Sequence, residues 1–458
     1  MWRVKTYEGI TGWGRVVARR QSHGRAMIWL DASEGHGHGT HGEWSWLIGS
    51  DGPGWESVMV SSDAQRIEHD GIQGTRLIDG ATLTHRLTQS DRGVPPIDAP
   101  FLGGWVGWIG YGFTWPIRTP TVAIGNEPLL YMIRPDRWIG MHHPTQRLVA
   151  VGWDPSEPEW TQWVDGIQSD LAHPMPIYRP LPPVTGHFYQ SGDTYQRAIQ
   201  TIQTAIANGR CYQVCLSNEW VAPQGEGTSW EWYGHMRTHN PTGLGAYCHT
   251  PYGDMASTSP ELFIHINRQG RIASHPIKGT RSRHATHSPP LSDNAKERAE
   301  NVMIVDLIRH DLARVCQPGS VTVDRLWDVE THAALHQLVS SISGQQRADQ
   351  GVWDVVGALM PGGSMTGAPK AAAMALINQL EQRPRGVYAG ALGWVGDDGG
   401  AQLSMVIRTA WFRDGQVRLG VGGGITADSV PSNEWDEVLL KARATLPPFC
   451  QVDGSSGC

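Results

Sequence analysis

No run in this 458-residue chain approaches about eighteen consecutive apolar residues, so no helix is expected to cross a membrane. The N-terminus, MWRVKTYEGITGW, lacks a basic stretch followed by an apolar one, so no secretory signal is expected. The six cysteines, at 211, 215, 248, 316, 450 and 458, include no CxxC pair, and the nearest two lie four apart with no second pair to complete a four-sulfur metal site. Scattered thiols in a chain this large point to a reducing, cytoplasmic setting. Positive charge is short as well. A net charge of −7 and a pI near 6.3 argue against a nucleic-acid or anionic-membrane partner. An anionic substrate would have to be met by local groups. No GxSxG elbow is present, and no short repeat of the solenoid kind. PGGSMTGAPK (361–370) has the glycine gap of a phosphate loop, but Ala368 stands where that loop needs its lysine, so nucleotide binding is not supported.

What is abundant is glycine, with 55 residues, and tryptophan, with 21. Together they suggest many turns and large flat apolar surfaces. Within a first region at 1–172, residues 1–150 alternate short apolar runs with glycine breaks, as in GGWVGWIGYGF, which is the pattern of strands and turns. Residues 173–186, HPMPIYRPLPPVTG, hold five prolines and read as an extended connector. Beyond it lies a region at 187–447, followed by a tail at 448–458. In that region Tyr195, Ile199, Ile202 and Ile206 keep helical spacing, with Asn208-Gly209 as a stop. CYQVCLSNEW then alternates like a strand, a long helix is predicted over about 293–316, and another opens after Pro431. Helices interleaved with strands indicate sheets covered by helices.

Several constellations could carry chemistry. Glu297 and Glu300 on one predicted helix, and Glu434 and Glu437 on another, are spaced to share a face. Glu300 also shares its face with Ile304 and Leu307, a direction that points inward, and a buried carboxylate needs a cation or a donor. Acids from two helices would suit Mg²⁺, a hard ion that takes a few carboxylates plus water and substrate oxygens. LGVGGGIT (419–426) is a strand running into glycines, either an anion-receiving nest or a plain turn. HGHGTH (36–41) places three histidines among glycines that leave them unorganised, as in a surface loop. Finally, SHPIKGTRSR (274–283) sets Lys278 in a segment otherwise suited to a tight buried turn. Such a lysine is either a solvated loop amine or a functional one.

Taken in order, SPELF, PIKGTR, KERAENVMIVDLIRHDL, HQLVSSISG, PGGSMTGAPK, GVYAGALGW, VIRTAWF, GGGI and NEWDEVLLKA resemble the motifs of the chorismate-utilising enzymes over about 185–447. GGWVGWIGYG and WLDAS match more loosely in the first region. The resemblance implies an α+β class: a composite α/β/β/α fold with two packed antiparallel sheets and the active site in the cleft between them. It also implies roles. Glu300 and Glu437 would hold Mg²⁺, with Glu434 as a third acid. Gly422, Gly423 and Gly424 would receive a carboxylate on their amides, while Arg408 and Tyr388 would bind the pyruvyl carboxylate. Glu261 would be the general acid that assists departure of the ring 4-hydroxyl. His336 matches the family's active-site histidine and Ser364 a small polar residue of the pocket. Gln213, Thr280 and Lys441 complete the substrate-binding positions.

Two positions then select the reaction. Branches that add water to the ring resemble one another in carrying a lysine base where this chain has Gln213, so water addition is not expected. In the family's anthranilate synthases the PIxGT motif usually carries alanine, and in its aminodeoxychorismate synthases lysine; here it reads PIKGT. The resemblance therefore implies nucleophilic attack by Lys278 at C2 of chorismate and ammonia addition at C4. The product would be 4-amino-4-deoxychorismate, for 4-aminobenzoate and folate synthesis. The chain shows no glutamine amidotransferase triad, so ammonia is expected from a separate glutaminase subunit. The competing readings are an anthranilate synthase component and a non-catalytic chorismate-binding paralogue.

Overall fold

The computed structural model describes residues 1–21, 26–33, 42–50, 52–71, 73–118, 120–174, 178–282, 295–331 and 335–456. HGHGTH, apart from its neighbours, lies outside them. Among the described residues the strands form two sheets, of thirteen and twelve strands. Every pairing is antiparallel except that of Val184–Phe188 with Cys450–Ser456. That pair corrects two expectations. The end of the proline-rich connector is already a strand, and most of the expected tail is an edge strand beside it.

Both sheets draw strands from either side of the connector. In the first, Met27–Asp31 pairs with Gly245–Thr250; in the second, Gly104–Ile109 pairs with Ala391–Gly396. The two regions therefore share their sheets. Between them lies a dry layer rich in tryptophan. Trp411 from the first sheet meets Trp108 from the second edge-on at 5.5 Å, and Phe101 stands 5.3 Å from Trp138 and 5.6 Å from Trp394. Large aromatics in edge-to-face contact fill a gap of about 10 Å between sheets with few side chains. This accounts for part of the tryptophan content; another group, including Trp29, Trp220, Trp230 and Trp232, lies in a separate core cluster.

Helices cover the outer face of the first sheet. Gly192–Ala207 begins at Ser191, whose side chain accepts from the Thr194 amide, and turns out at Gly209, which takes φ 70°. Tyr195, Ile199 and Ile202 are fully buried, as their spacing predicts. They pack with Trp435, Val438 and Leu439 of helix Pro431–Thr445 and with Val214, Leu216 and Trp220 of strand Gln213–Pro223.

The other face of that strand is fixed by a buried ion pair. Arg385 donates to both oxygens of Glu381, at 2.9 and 2.7 Å, and also to the carbonyls of Met365 (2.6 Å) and Cys215 (2.7 Å). Glu381 in turn accepts from the Ser217 amide and hydroxyl. Burial alone would push Glu381 upward, but Arg385 outweighs it and holds the carboxyl below its ordinary value. The stabilisation from this depressed group is present above the unfolded carboxylate pKa and is lost as pH falls through the folded one. Replacement Arg385→Met should leave Glu381 buried without its cation and cost about 3–5 kcal/mol, measured by denaturant unfolding at neutral pH.

Candidate active site

The cleft face of strand Gln213–Pro223 presents Gln213, Cys215 and Ser217, and lies beside strand Gln416–Ile425 in the register Cys215–Gly424 and Ser217–Gly422. The glycines are needed for close approach. A Cβ at Gly424 would stand 2.3 Å from Gln213 Nε2, one at Gly422 2.3 Å from the Leu216 carbonyl, and one at Gly420 2.2 Å from the Tyr388 ring. None of Gly422, Gly423 and Gly424 takes a positive φ; the glycine run is extended strand and not the nest that was one of its two readings. What opens it to a ligand is its edge. The neighbouring strand Thr409–Arg413 pairs only as far as Leu419, so toward Gly422–Gly424 no strand among the described residues pairs on that side.

Arg408 stands at the turn into Thr409–Arg413, in the left-handed region at φ 50°. Its guanidinium is half-buried and has no hydrogen bond or ion pair among the described residues. Burial is the one influence on its pKa, and it acts downward; no carboxylate offsets it. A cation left so is a place for an anion. Tyr388 lies over Gly420, and burial pushes its phenol well up, so it remains a neutral donor.

Lys278 sits on strand Ile277–Ser282, opposite Leu338 of strand Leu335–Gln345. Gly279, at φ 65°, is the extra residue of a bulge between Lys278 and Thr280. A bulge of this kind re-aims the side chain beside it. The strand alternation puts His336 on the same face as Leu338, hence on the face of Lys278. The side chain of Thr280 lies outside the described residues. The Lys278 amine is half-buried and makes no hydrogen bond or ion pair to a described residue. Burial would lower its pKa, but its surroundings raise it above the usual lysine value. Cys215, Glu300, Glu261 and Glu437 are the groups that act upward on it.

Glu261 is buried, and desolvation pushes its carboxyl up; Lys278 and a 2.6 Å hydrogen bond donated by Ser364 pull it partly back. Ser364 belongs to the short turn Gly363–Met365, whose Met365 carbonyl is held by Arg385. The acids expected to hold a metal reach the glycine strand from two sides. Glu300, on helix Ala295–Ala313, comes within 3.7 Å of where a Gly424 Cβ would be. Glu434 and Glu437 come within 3.3 and 3.6 Å of a Gly423 Cβ. Lys441 pairs with Glu437 at 2.6 Å and donates to the Gly422 carbonyl at 2.8 Å. Among the described residues no three His, Cys, Asp or Glu side chains are already gathered into an ion cage. A hard ion that keeps water and substrate oxygens does not need one.

The structure therefore brings together Gln213, Glu261, Lys278, Glu300, Tyr388, Arg408, Glu434, Glu437, Lys441 and the glycines around one cleft. Sequence reasoning missed Arg385, which ties three pieces of the wall. It also missed Cys215, whose alternation with Gln213 in the predicted strand was the available signal.

A family model described as chorismate binding enzyme matches residues 45–447, and the chain belongs to that family. It is 37% identical over 444 residues to an aminodeoxychorismate synthase of Streptomyces griseus, covering 92% of this chain but only 60% of that protein. It is 32% identical to aminodeoxychorismate synthase component 1 of Salmonella typhimurium, over 78% of each chain. It is equally 32% identical to anthranilate synthase component 1 of Streptomyces coelicolor, over 90% of this chain and 86% of that one. The fold matches the crystal structure of anthranilate synthase component I from Streptococcus pneumoniae with a TM-score of 0.76 at 24% identity, over 88% of this chain and 92% of that one.

Because Ser364 favours the ionised form of Glu261, Ser364→Ala should raise the carboxyl pKa further. If protonated Glu261 is required, the alkaline limb of the kcat–pH profile then moves to higher pH, the opposite of a simple loss of activity.

Proposed function

We propose that this chain is the chorismate-converting component of an aminodeoxychorismate synthase, and that it makes 4-amino-4-deoxychorismate from chorismate and ammonia. The observation that carries this reading is the Lys278 amine, unbonded in the same cleft as a buried, upward-shifted Glu261 and an uncompensated Arg408. Identity favours the aminodeoxychorismate branch only modestly, at 37% for the Streptomyces griseus relative against 32% for the anthranilate synthase component, and Lys278 in PIKGT supports the same branch.

Arg408 and the Tyr388 phenol would bind the pyruvyl carboxylate, and the Gln213 carboxamide oxygen, buried with no partner among the described residues, would accept from a substrate hydroxyl or the incoming amine. The neutral Lys278 amine attacks C2 as the ring double bond shifts and the C4–O bond breaks. Glu261 protonates the departing hydroxyl, which leaves as water, and recovers the proton shed by the lysine nitrogen. Ammonia next attacks C4, the double bonds shift back, and the C2–Nζ bond breaks. The proton shed by the new amine goes to the departing lysine. His336, on the Lys278 face, is within the same constellation.

The three acids around Gly423 and Gly424 are a hard-donor set that fits Mg²⁺. When bound there, the ion supplies positive charge that neutralises a ring carboxylate and weakens the upward pull of Glu300 and Glu437 on the Lys278 amine. The chain spans three fifths of the length of its Streptomyces griseus relative, and the Salmonella and Streptomyces coelicolor relatives are named as components. The naming of these relatives as components supports a partner chain, here a glutamine amidotransferase that delivers ammonia.

With chorismate, Mg²⁺ and ammonium, the expected product retains the pyruvyl group and yields 4-aminobenzoate only after a lyase is added, and Lys278→Ala abolishes its formation. Fluorescent anthranilate with free pyruvate would contradict the proposal. Arg408→Gln should raise the KM for chorismate about 10- to 100-fold, the loss of one or two charge-assisted hydrogen bonds of ~1.5–3 kcal/mol.

A further inference from the structure

The chain has only five lysines, Lys5, Lys278, Lys296, Lys370 and Lys441, against 37 lysines and arginines together. Lys278 and Lys441 face the cleft. Lys370 does not, yet its side chain is only 17% exposed. It begins helix Lys370–Glu381 and donates to Asp311 Oδ2 at 2.7 Å and to the Leu359 carbonyl at 3.0 Å. Leu359 is the last residue of helix Val352–Leu359, so one amine joins three helices around the loop that carries Ser364.

Asp311 is 3% exposed and lies eleven residues beyond Glu300 on the same helix, Ala295–Ala313. Eleven residues make three turns plus about 20°, so Asp311 and Glu300 share a face about 16 Å apart. Between them the helix rests on the Ser364 turn: a Cβ at Gly363 would stand 3.0 Å from Leu307 Cδ2. The helix is thus pinned at one end of that face by Lys370, seated in the middle on the turn whose Ser364 donates to Glu261, and presents Glu300 at the other end. Burial opposes the charge on both partners, pushing the Asp311 carboxyl up and the Lys370 amine down. A buried pair of this kind is poor at adding stability, and an apolar pair of similar size would hold the helices at least as well. Its geometry is what an apolar pair lacks.

We propose that Asp311 and Lys370 are positioning residues that set where the Glu300 helix stands against the Glu261–Ser364 acid, and so tune the affinity of the carboxylate site for a divalent cation. This rests on the reading of Glu300 as a metal-holding acid. Neither Asp311 nor Lys370 bonds to Glu300, Glu434 or Glu437, and the pair acts through the helix that carries Glu300.

The test is the double variant Asp311→Leu/Lys370→Met, which removes the pair without leaving a lone buried charge. Mg²⁺ binding is measured by calorimetry in the absence of chorismate, alongside thermal melting, kcat and the KM for chorismate. The expected result is cooperative melting, Mg²⁺ affinity lowered about 10- to 100-fold, a lower kcat with little change in KM, and affinity largely retained in Lys370→Arg. A folded double variant that binds Mg²⁺ as the parent does overturns the proposal. So does one that no longer melts cooperatively, because the pair would then hold the fold and not the site. Glu300→Gln separates the two layers: if it leaves Mg²⁺ affinity unchanged, the reading of Glu300 fails, and the positioning role falls with it.

Discussion

The cleft depends on one guanidinium. Arg385 bonds at once to Glu381, to the Met365 carbonyl beside Ser364, and to the Cys215 carbonyl two residues from Gln213. It also lies 4.6 Å from the Tyr111 ring. Without it, the strand bearing Gln213, the turn bearing Ser364 and the segment bearing Tyr388 would have no common anchor. A bidentate arginine suits this place because its donors are rigidly disposed and its charge does not titrate away. Gln213 and Ser364 take their positions beside groups that Arg385 bonds.

The electrostatics of the cleft are balanced in a useful way. The chain as a whole is anionic at −7, yet Arg408, just before the strand that pairs with Gln416–Leu419, has no ion-pair partner among the described residues. Burial acts downward on the Lys278 amine, while Cys215, Glu300, Glu261 and Glu437 act upward on it. A divalent cation beside those acids would weaken their upward pull on the amine.

Much of this was legible in the sequence where the signal is local. Helical spacing with Ile304 and Leu307 pointed Glu300 inward, and it is 8% exposed. The alternation of CYQVCLSNEW foretold a strand with Gln213 on one face, and the ordered motifs foretold the family and its two packed sheets. The glycine run left a nest and a turn open, and neither formed, because a whole neighbouring strand, ten residues in register, draws it into an extended ladder. The tail and the connector were misjudged for the same kind of reason. Val184–Phe188 lies between strand Gln213–Pro223 and Cys450–Ser456, and the last is a strand through its pairing with Val184–Phe188, across more than 260 residues of chain. Arg385, four residues after Glu381, looks like any helix-end ion-pair arginine until the Cys215 carbonyl, 170 residues away in the chain, is seen beside it. Long-range partners decide such cases, and no local pattern encodes them.

The central claim is that Lys278 is a nucleophile toward chorismate. Intact-protein mass spectrometry of the Mg²⁺-loaded chain with chorismate, ammonia withheld, tests it most directly. The account predicts a mass increase equal to chorismate less one water, mapped to Lys278 by peptide sequencing, discharged on adding ammonium and missing from Lys278→Ala. A protein that turns chorismate over with ammonium but never carries that mass, or carries it elsewhere, would contradict the account.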